Sequence, residues 1–293
     1  MRFLIAVKDT SPESKNRLKI GVTIASGFSA DLSVLYIGKK SSSIIEGDIA
    51  LTRYSLSEWN IHHPGIEVLM WAFESIKEFG FLPAETAEFD PSNLIAESGR
   101  IRMVLPQSSG EKIHLILREG DLLSELHKET QYRPYELSII GAPENNRMTH
   151  KYIQFLDTSI FIIKNFDPSW NYKILLCVDD SAATKRAIMF GAIISRQFNA
   201  HIHAITVSKN KTFGKGYKNA SRWVEKYLRM LKLSFNVSMI TGNPTDVFLR
   251  EAGDNHIIVM GKASGNEFIK FLKGSKPIHT AQKANSPILL VKS

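Results

Sequence analysis

Residues 256–293 hold the pattern with the clearest chemical consequence. An apolar run, Ile257-Ile258-Val259-Met260, passes into the small residues Gly261-Lys262-Ala263-Ser264-Gly265. Nine residues then separate Ser264 from Gly274-Ser275, and a short helical stretch leads to a last apolar run, Ile288-Leu289-Leu290-Val291. Glycine lets backbone N–H groups come close to an anion. The free N–H groups and dipole at a helix start favour negative charge there. Lys262, Lys270, Lys273 and Lys276 face a single acid, Glu267, in this stretch. The chemistry suggested is phosphate binding.

Other reactive residues point elsewhere or nowhere. His201 and His203 share one face of a strand, which is half a metal site, but no cysteine or acidic pair stands at ligand spacing. No metal site is therefore assigned. His62-His63 before Pro64 reads as a solvated turn. Cys177, the single cysteine, lies inside an apolar run and reads as a small buried hydrophobe. One cysteine allows no intramolecular disulfide, so a reducing cytoplasm is the simplest setting. No Gly-x-Ser-x-Gly elbow, complete Walker loop or His-Glu-x-x-His is present, and no catalytic residue is assigned. Gly214-Lys215-Gly216 falls in a Lys-rich loop over 209–218 that either gates a pocket or is simply mobile.

The chain that positions these residues has 293 residues, 43% of them hydrophobic and 23% charged, with a net charge of +8. That is globular composition with room for two domains. No apolar run approaches the ~20 residues of a membrane span, and the apolar part of Met1–Val7 is too short for a signal peptide. It reads as a first strand. The basic excess is spread out and reads first as a soluble surface that happens to be basic, next as a bias towards an anionic small ligand and, without a basic recognition helix, last as nucleic-acid binding.

The chain is written twice. Residues 2–9 (Arg-Phe-Leu-Ile-Ala-Val-Lys-Asp) and 172–179 (Tyr-Lys-Ile-Leu-Leu-Cys-Val-Asp) are each a strand ending at an aspartate, followed by a serine and a helical stretch. Second strands follow at 31–37 and 200–207. Third strands, 113–119 and 235–241, each precede a glycine and a capped helix. Fourth strands are Leu137–Gly141 and Ile257–Gly261, and fifth strands are Ser159–Ile163 and Ile288–Val291. Strands alternating with amphipathic helices imply a parallel sheet buried on both faces. The expected fold is α/β: two tandem doubly wound, parallel-sheet domains of Rossmann type. Residues 1–168 form one, with an insertion around 83–110 read as a surface excursion, and residues 169–293 form the other. The copies diverge after the fourth strand. Twenty-seven residues separate Gly261 from Leu289, but 20 separate Gly141 from Ile162. The shorter segment, starting Ala142-Pro143-Glu144, has no Gly-Ser and suits a phosphate badly. The second copy alone keeps a credible anion site.

The Val178-Asp179-Asp180-Ser181 turn and the 261–275 spacing resemble the universal stress protein family in its tandem form, over nearly the whole chain. Its nucleotide-binding members show Gly, two residues, Gly, nine residues, then Gly followed by Ser or Thr. Gly261, Ser264, Gly274 and Ser275 keep that spacing, with Ser264 in place of the middle glycine. The resemblance implies ATP or another adenine nucleotide, with or without Mg2+, in the second domain. Asp179 and the backbone of Val178 would meet the adenine, and Val207 would line the base and ribose pocket. Met260 and Gly261 would sit beside the ribose. Ser264, Gly274, Ser275 and the backbone of Lys276 and Pro277 would surround the phosphates. Ser264 adds a side chain whose hydroxyl can donate to phosphate, and Pro277 brings no N–H. The resemblance further implies that the two fifth strands pair as an intramolecular pseudo-dimer, with pairing into a homodimer left open. A stress-response regulator that binds nucleotide, an interaction scaffold of the same fold that uses none, and a slow ATPase all remain open. No general base or arginine finger stands near the loop to favour the last.

Overall fold

The computed structural model describes residues 1–39, 64–142, 151–152, 156–164, 166, 169–262 and 286–292. Its backbone contacts cluster into two units, Met1–Gly141 and Ala142–Ser293.

The first unit runs β1 (Arg2–Val7), α1 (Pro12–Gly27), β2 (Asp31–Gly38), α2 (Pro64–Glu78), β3 (Ile95–Glu97), β4 (Arg100–Pro106), β5 (Lys112–Glu119), α3 (Leu122–Tyr132) and β6 (Leu137–Gly141). Strand order is β6-β1-β2-β5-β4-β3. β6, β1, β2 and β5 are parallel, with Arg2 opposite Asp31 and Leu32 opposite Ile113. β1 is buried on both faces, with Phe3, Leu4 and Ile5 fully inaccessible, as a parallel strand covered by helices requires. α1 and α2 pack on this sheet, and Phe73 of α2 is buried in the core.

The segment expected to be a surface excursion is instead part of the sheet. β3 pairs antiparallel with β4, and β4 pairs antiparallel with β5. This hairpin covers what would otherwise be an exposed edge, and β5 is buried along most of its length. Charge pins it. The Arg100 guanidinium, fully buried, donates to Glu129 of α3 and, at 2.7 Å, to Glu97. Glu129, also fully buried, accepts from Arg118 of β5 at 2.8 Å and from the Tyr135 hydroxyl at 3.0 Å. Burial of two arginines is tolerated because each charge meets an opposite one. The alternation of basic and apolar residues in 100–103 carries this arrangement, but the flanking prolines made the segment read as a loop.

The second unit runs β7 (Ser159–Ile163), β8 (Lys173–Cys177), α4 (Ala182–Gln197), β9 (Ile202–Ser208), α5 (Lys215–Met230), β10 (Phe235–Thr241), α6 (Pro244–Ala252), β11 (His256–Lys262) and β12 (Ile288–Lys292). Strand order is β10-β9-β8-β11-β12-β7. All neighbours are parallel except β12 and β7, which are antiparallel with Leu289 opposite Phe161. The two fifth strands therefore pair, and β7 groups with the second unit. The chain leaves β8 first towards β9 and β10, then returns to β11 on the other side. That reversal places a crevice beyond the carboxyl ends of β8 and β11, where open α/β sheets bind ligands.

Candidate functional site

The carboxyl ends of three adjacent strands meet at that crevice. β8 ends at Cys177, and the Val178 amide donates to the Ile205 carbonyl of β9 at 2.8 Å. On the other side, Met260 of β11 lies opposite Cys177. Val178, Val207 and Met260 are buried, and their strands lie side by side, about 4.8 Å apart. They supply an apolar floor. Burial, and then the Asp179 charge, push the Cys177 thiol well above its usual pKa, so it is an inert core residue.

Asp179 turns the chain from β8 into α4. Its Oδ1 accepts from the Ser181 amide at 2.9 Å, from the Ser181 hydroxyl at 2.6 Å and from the Thr184 hydroxyl. Ser181 sits at the N-cap of α4, its hydroxyl donating to Asp179, and its side chain makes no capping bond to the helix.

Gly261 ends the apolar part of β11 against the start of α4. A Cβ built on it would lie 2.7 Å from the Ala183 carbonyl carbon and 2.8 Å from the Thr184 nitrogen. Only glycine allows that approach of strand end to helix start. Ser264, Gly274, Ser275, Lys276 and Pro277, the expected phosphate-facing residues, lie outside the described residues.

Beside Asp179 opens a groove of about 360 Å3, bounded by the Asp179–Ser181 turn, by Thr184, Lys185 and Ile188 of α4, and by Gly216, Asn219 and Trp223 of α5. Asp179 thus faces the groove, whereas Val207, Met260 and Gly261 form the neighbouring strand ends and do not line it. Gly216 in the first turn of α5 comes close to the Asp180 carboxylate. Sequence reasoning singled out Gly214–Gly216 as a possible gate but missed Thr184, Asn219 and Trp223. Thr184, five residues after Asp179 and mirrored by Ser14 after Asp9, was the available signal.

The first unit repeats the turn almost atom for atom. Asp9 Oδ1 accepts from the Ser11 amide at 3.0 Å, the Ser11 hydroxyl, and the Ser14 hydroxyl at 2.7 Å. The Ser11 and Ser14 hydroxyls hold the Asp9 carboxyl below the usual carboxylate range. Two things differ. Ser11 does cap its helix, accepting from the Ser14 amide at 3.3 Å. And Gly141, the counterpart of Gly261, abuts a cation: a Cβ there would lie 2.6 Å from the Arg17 guanidinium carbon. Arg17 stands where α4 has Ala187. Desolvation lowers its pKa, against the opposing pull of Asp9 and Glu13, and its buried Nε has no hydrogen-bond partner among the described residues.

The histidine pair is structural. His201 meets Ser234 at 2.7 Å and Asn236 at 2.8 Å, and His203 meets Ser238 at 3.1 Å. Among the described residues no group of three or more His, Cys, Asp or Glu side chains could hold a metal ion, and no helix is long and apolar enough to cross a membrane.

No protein-family model matches the sequence, and no curated protein matches it. Solved structures do match the fold. A universal stress protein from Archaeoglobus fulgidus DSM 4304 is similar over 99% of this chain and 96% of its own, at a TM-score of 0.60 and 15% identity. The chain has the tandem universal stress protein fold. A candidate universal stress protein from Pseudomonas aeruginosa UCBPP-PA14 is similar over 99% of this chain and 92% of its own, with TM-score 0.59 and 15% identity. A protein of unknown function from Pseudomonas aeruginosa PAO1 is similar to the same extent, with TM-score 0.57 and 15% identity. At these identities the universal stress protein likeness is one of fold, and the reading of the ligand rests on the site.

Proposed function

We propose that this protein is a cytoplasmic stress-response regulator that binds ATP or another adenine nucleotide in its second unit, with or without Mg2+, while the first unit is a degenerate partner. The observation that carries the reading is the contrast at the two strand-four glycines. At Gly261 the start of α4 comes up to the strand end, with the Thr184 amide there donating to the Ser181 carbonyl at 3.2 Å, and the helix dipole favours an anion beside it. At Gly141 the Arg17 side chain fills the corresponding place. The uncapped start of α4 and the adjoining groove support the same reading. Asp179 and the Val178 backbone would meet the base, with Val207, Met260 and Gly261 as floor. Ser264, Gly274, Ser275, Lys276 and Pro277 would take the phosphates.

The β12–β7 pairing supports a pseudo-dimer within one chain, a homodimer being a further step of the same kind. An interaction scaffold that uses no nucleotide is favoured by one observation. Asp9 makes the same turn as Asp179, so that turn can serve purely to redirect the chain from strand to helix.

Equilibrium titration with a fluorescent ATP analogue separates the two. The nucleotide reading expects saturable binding below millimolar concentration, weakened in a folded Asp179→Ala variant. A folded protein that shows no binding at millimolar analogue leaves the scaffold reading standing.

A further inference from the structure

The basic excess contains no dense block, yet the two halves of the chain do not share it. Residues 169–293 carry 19 Lys and Arg against 7 Asp and Glu, whereas residues 1–168 carry 18 against 22. Much of the second unit's excess stands on one side of its sheet. α4 and α5 bound the same groove and so cover the same sheet face. Together they hold eight Lys or Arg and one acid, Glu225. The helices in the corresponding places of the first unit, α1 and α2, hold four of each sign. The fold itself therefore does not demand a basic face here, since its other copy is balanced.

α5 shows how the face is built. Its buried residues, Ser221, Val224 and Leu228, turn one stripe to the sheet. Helical periodicity then turns Lys215, Lys218, Arg222, Lys226 and Arg229 away from it, and all five are exposed. Arg229 pairs with Glu225 at 2.6 Å, and the other four have no ion pair among the described residues. Apolar groups stand among these charges. Trp223 is 36% exposed, and Met230, seven residues on and so on the same side of the helix, is 68% exposed. Tyr227 stacks on Trp223 with ring centroids 5.2 Å apart. On α4, Met189 is 48% exposed, one turn from the exposed Lys185.

We infer that the α4–α5 side of the second unit docks on an anionic lipid surface. Charge complementarity supplies the attraction, since each Lys or Arg brought to an anionic leaflet strengthens binding about fivefold. The exposed apolar side chains decide the class of partner. A sugar–phosphate backbone would satisfy the charges and offer Met189 and Met230 nothing. The boundary between headgroups and acyl chains takes a Trp ring and apolar tips out of water, while Lys and Arg stems keep their charges among the headgroups. The contact is one of surface only, because no described helix is long and apolar enough to cross a membrane. The inference goes beyond the nucleotide reading and does not rest on it.

The test is co-sedimentation of the full chain with vesicles of phosphatidylcholine alone and of phosphatidylcholine and phosphatidylglycerol in equal parts, with a short DNA duplex as competitor. Binding is expected to the phosphatidylglycerol vesicles only, and to weaken as salt is raised. The double variant Arg222→Gln, Lys226→Gln should bind them roughly 25-fold more weakly, with its far-UV circular dichroism unchanged. Lys15→Gln with Lys19→Gln, on the balanced α1, should leave binding as it is. Tryptophan emission should move to shorter wavelength on the vesicles. The chain has four tryptophans, so a smaller shift in Trp223→Phe assigns the movement to this one. A folded protein that ignores anionic vesicles at low salt overturns the inference, as does equal binding by the Arg222→Gln, Lys226→Gln variant. Tighter binding to the duplex than to the vesicles, with no shift in emission, gives the face to nucleic acid and overturns it too.

Discussion

The two units open their sheets with the same aspartate turn and use it to different ends. Asp9 with Ser11 and Ser14, and Asp179 with Ser181 and Thr184, make matching hydrogen bonds. What separates them lies one turn further along the helix and across the sheet. In the first unit a long cation, Arg17, fills the space against Gly141. In the second, Ala187 stands in the place of Arg17, and the atoms nearest Gly261 belong to the helix start. A second contrast lies at the outer edge. β5 is sealed by the β3–β4 hairpin and a buried charge network, while β10 remains a half-exposed edge strand. The two copies thus share a local turn and differ in what surrounds the strand-four glycine and the outer strand.

The largest effect that would sharpen this contrast is at Glu129. Removing it in Glu129→Ala leaves Arg100 and Arg118 buried without their shared partner, a loss on the order of 3–5 kcal/mol. Urea unfolding followed by circular dichroism should show the first unit melting early, with nucleotide affinity of the second unit unchanged. A loss below about 1 kcal/mol would mean that the network does not hold the hairpin.

Paired alanine substitutions of the two glycines come next. Gly261→Ala drives a Cβ into backbone at Ala183 and Thr184, which cannot yield, and should cost about 1–3 kcal/mol and weaken nucleotide binding. Gly141→Ala meets only the flexible end of Arg17 and should cost less than about 1 kcal/mol, with binding unchanged. Equal effects at both positions would break the comparison.

Acid should act on the first unit through His114. Burial, with Arg133 and Arg102 adding to it, pushes its pKa from 6.5 to about 4. The unfolded chain therefore binds a proton between those values that the folded unit refuses, so stability falls as pH drops from 6.5 towards 4, by up to about 1.4 kcal/mol per pH unit. Thermal melts across that window should flatten in His114→Gln. The smallest effect is at the turns. Asp9→Ala and Asp179→Ala should each cost about 1 kcal/mol through the lost turn hydrogen bonds, and Asp179→Ala alone should weaken nucleotide binding.

Much of this was legible in the sequence, and the reasons it stops are physical. Apolar strand runs, repeated once, fix the parallel order, because strands buried on both faces admit few other residues. The Asp179 turn is local, so four consecutive residues announce it. Arg17 was not legible as a plug, since a helical arginine normally faces water and its neighbour Gly141 lies far along the chain. Trp223 was not legible either. Its place in the groove depends on how α5 packs beside α4, which periodicity does not encode. The 261–275 spacing was read as a phosphate loop, and that reading is carried into the proposal through Gly261, the part of it that lies among the described residues.

If one copy of the duplicated site survives, isothermal titration calorimetry of the full chain with ATP should give a stoichiometry of one nucleotide per chain, kept in Gly141→Ala and lost or strongly weakened in Gly261→Ala. Two nucleotides per chain, or none in a folded sample at millimolar ATP, would contradict it.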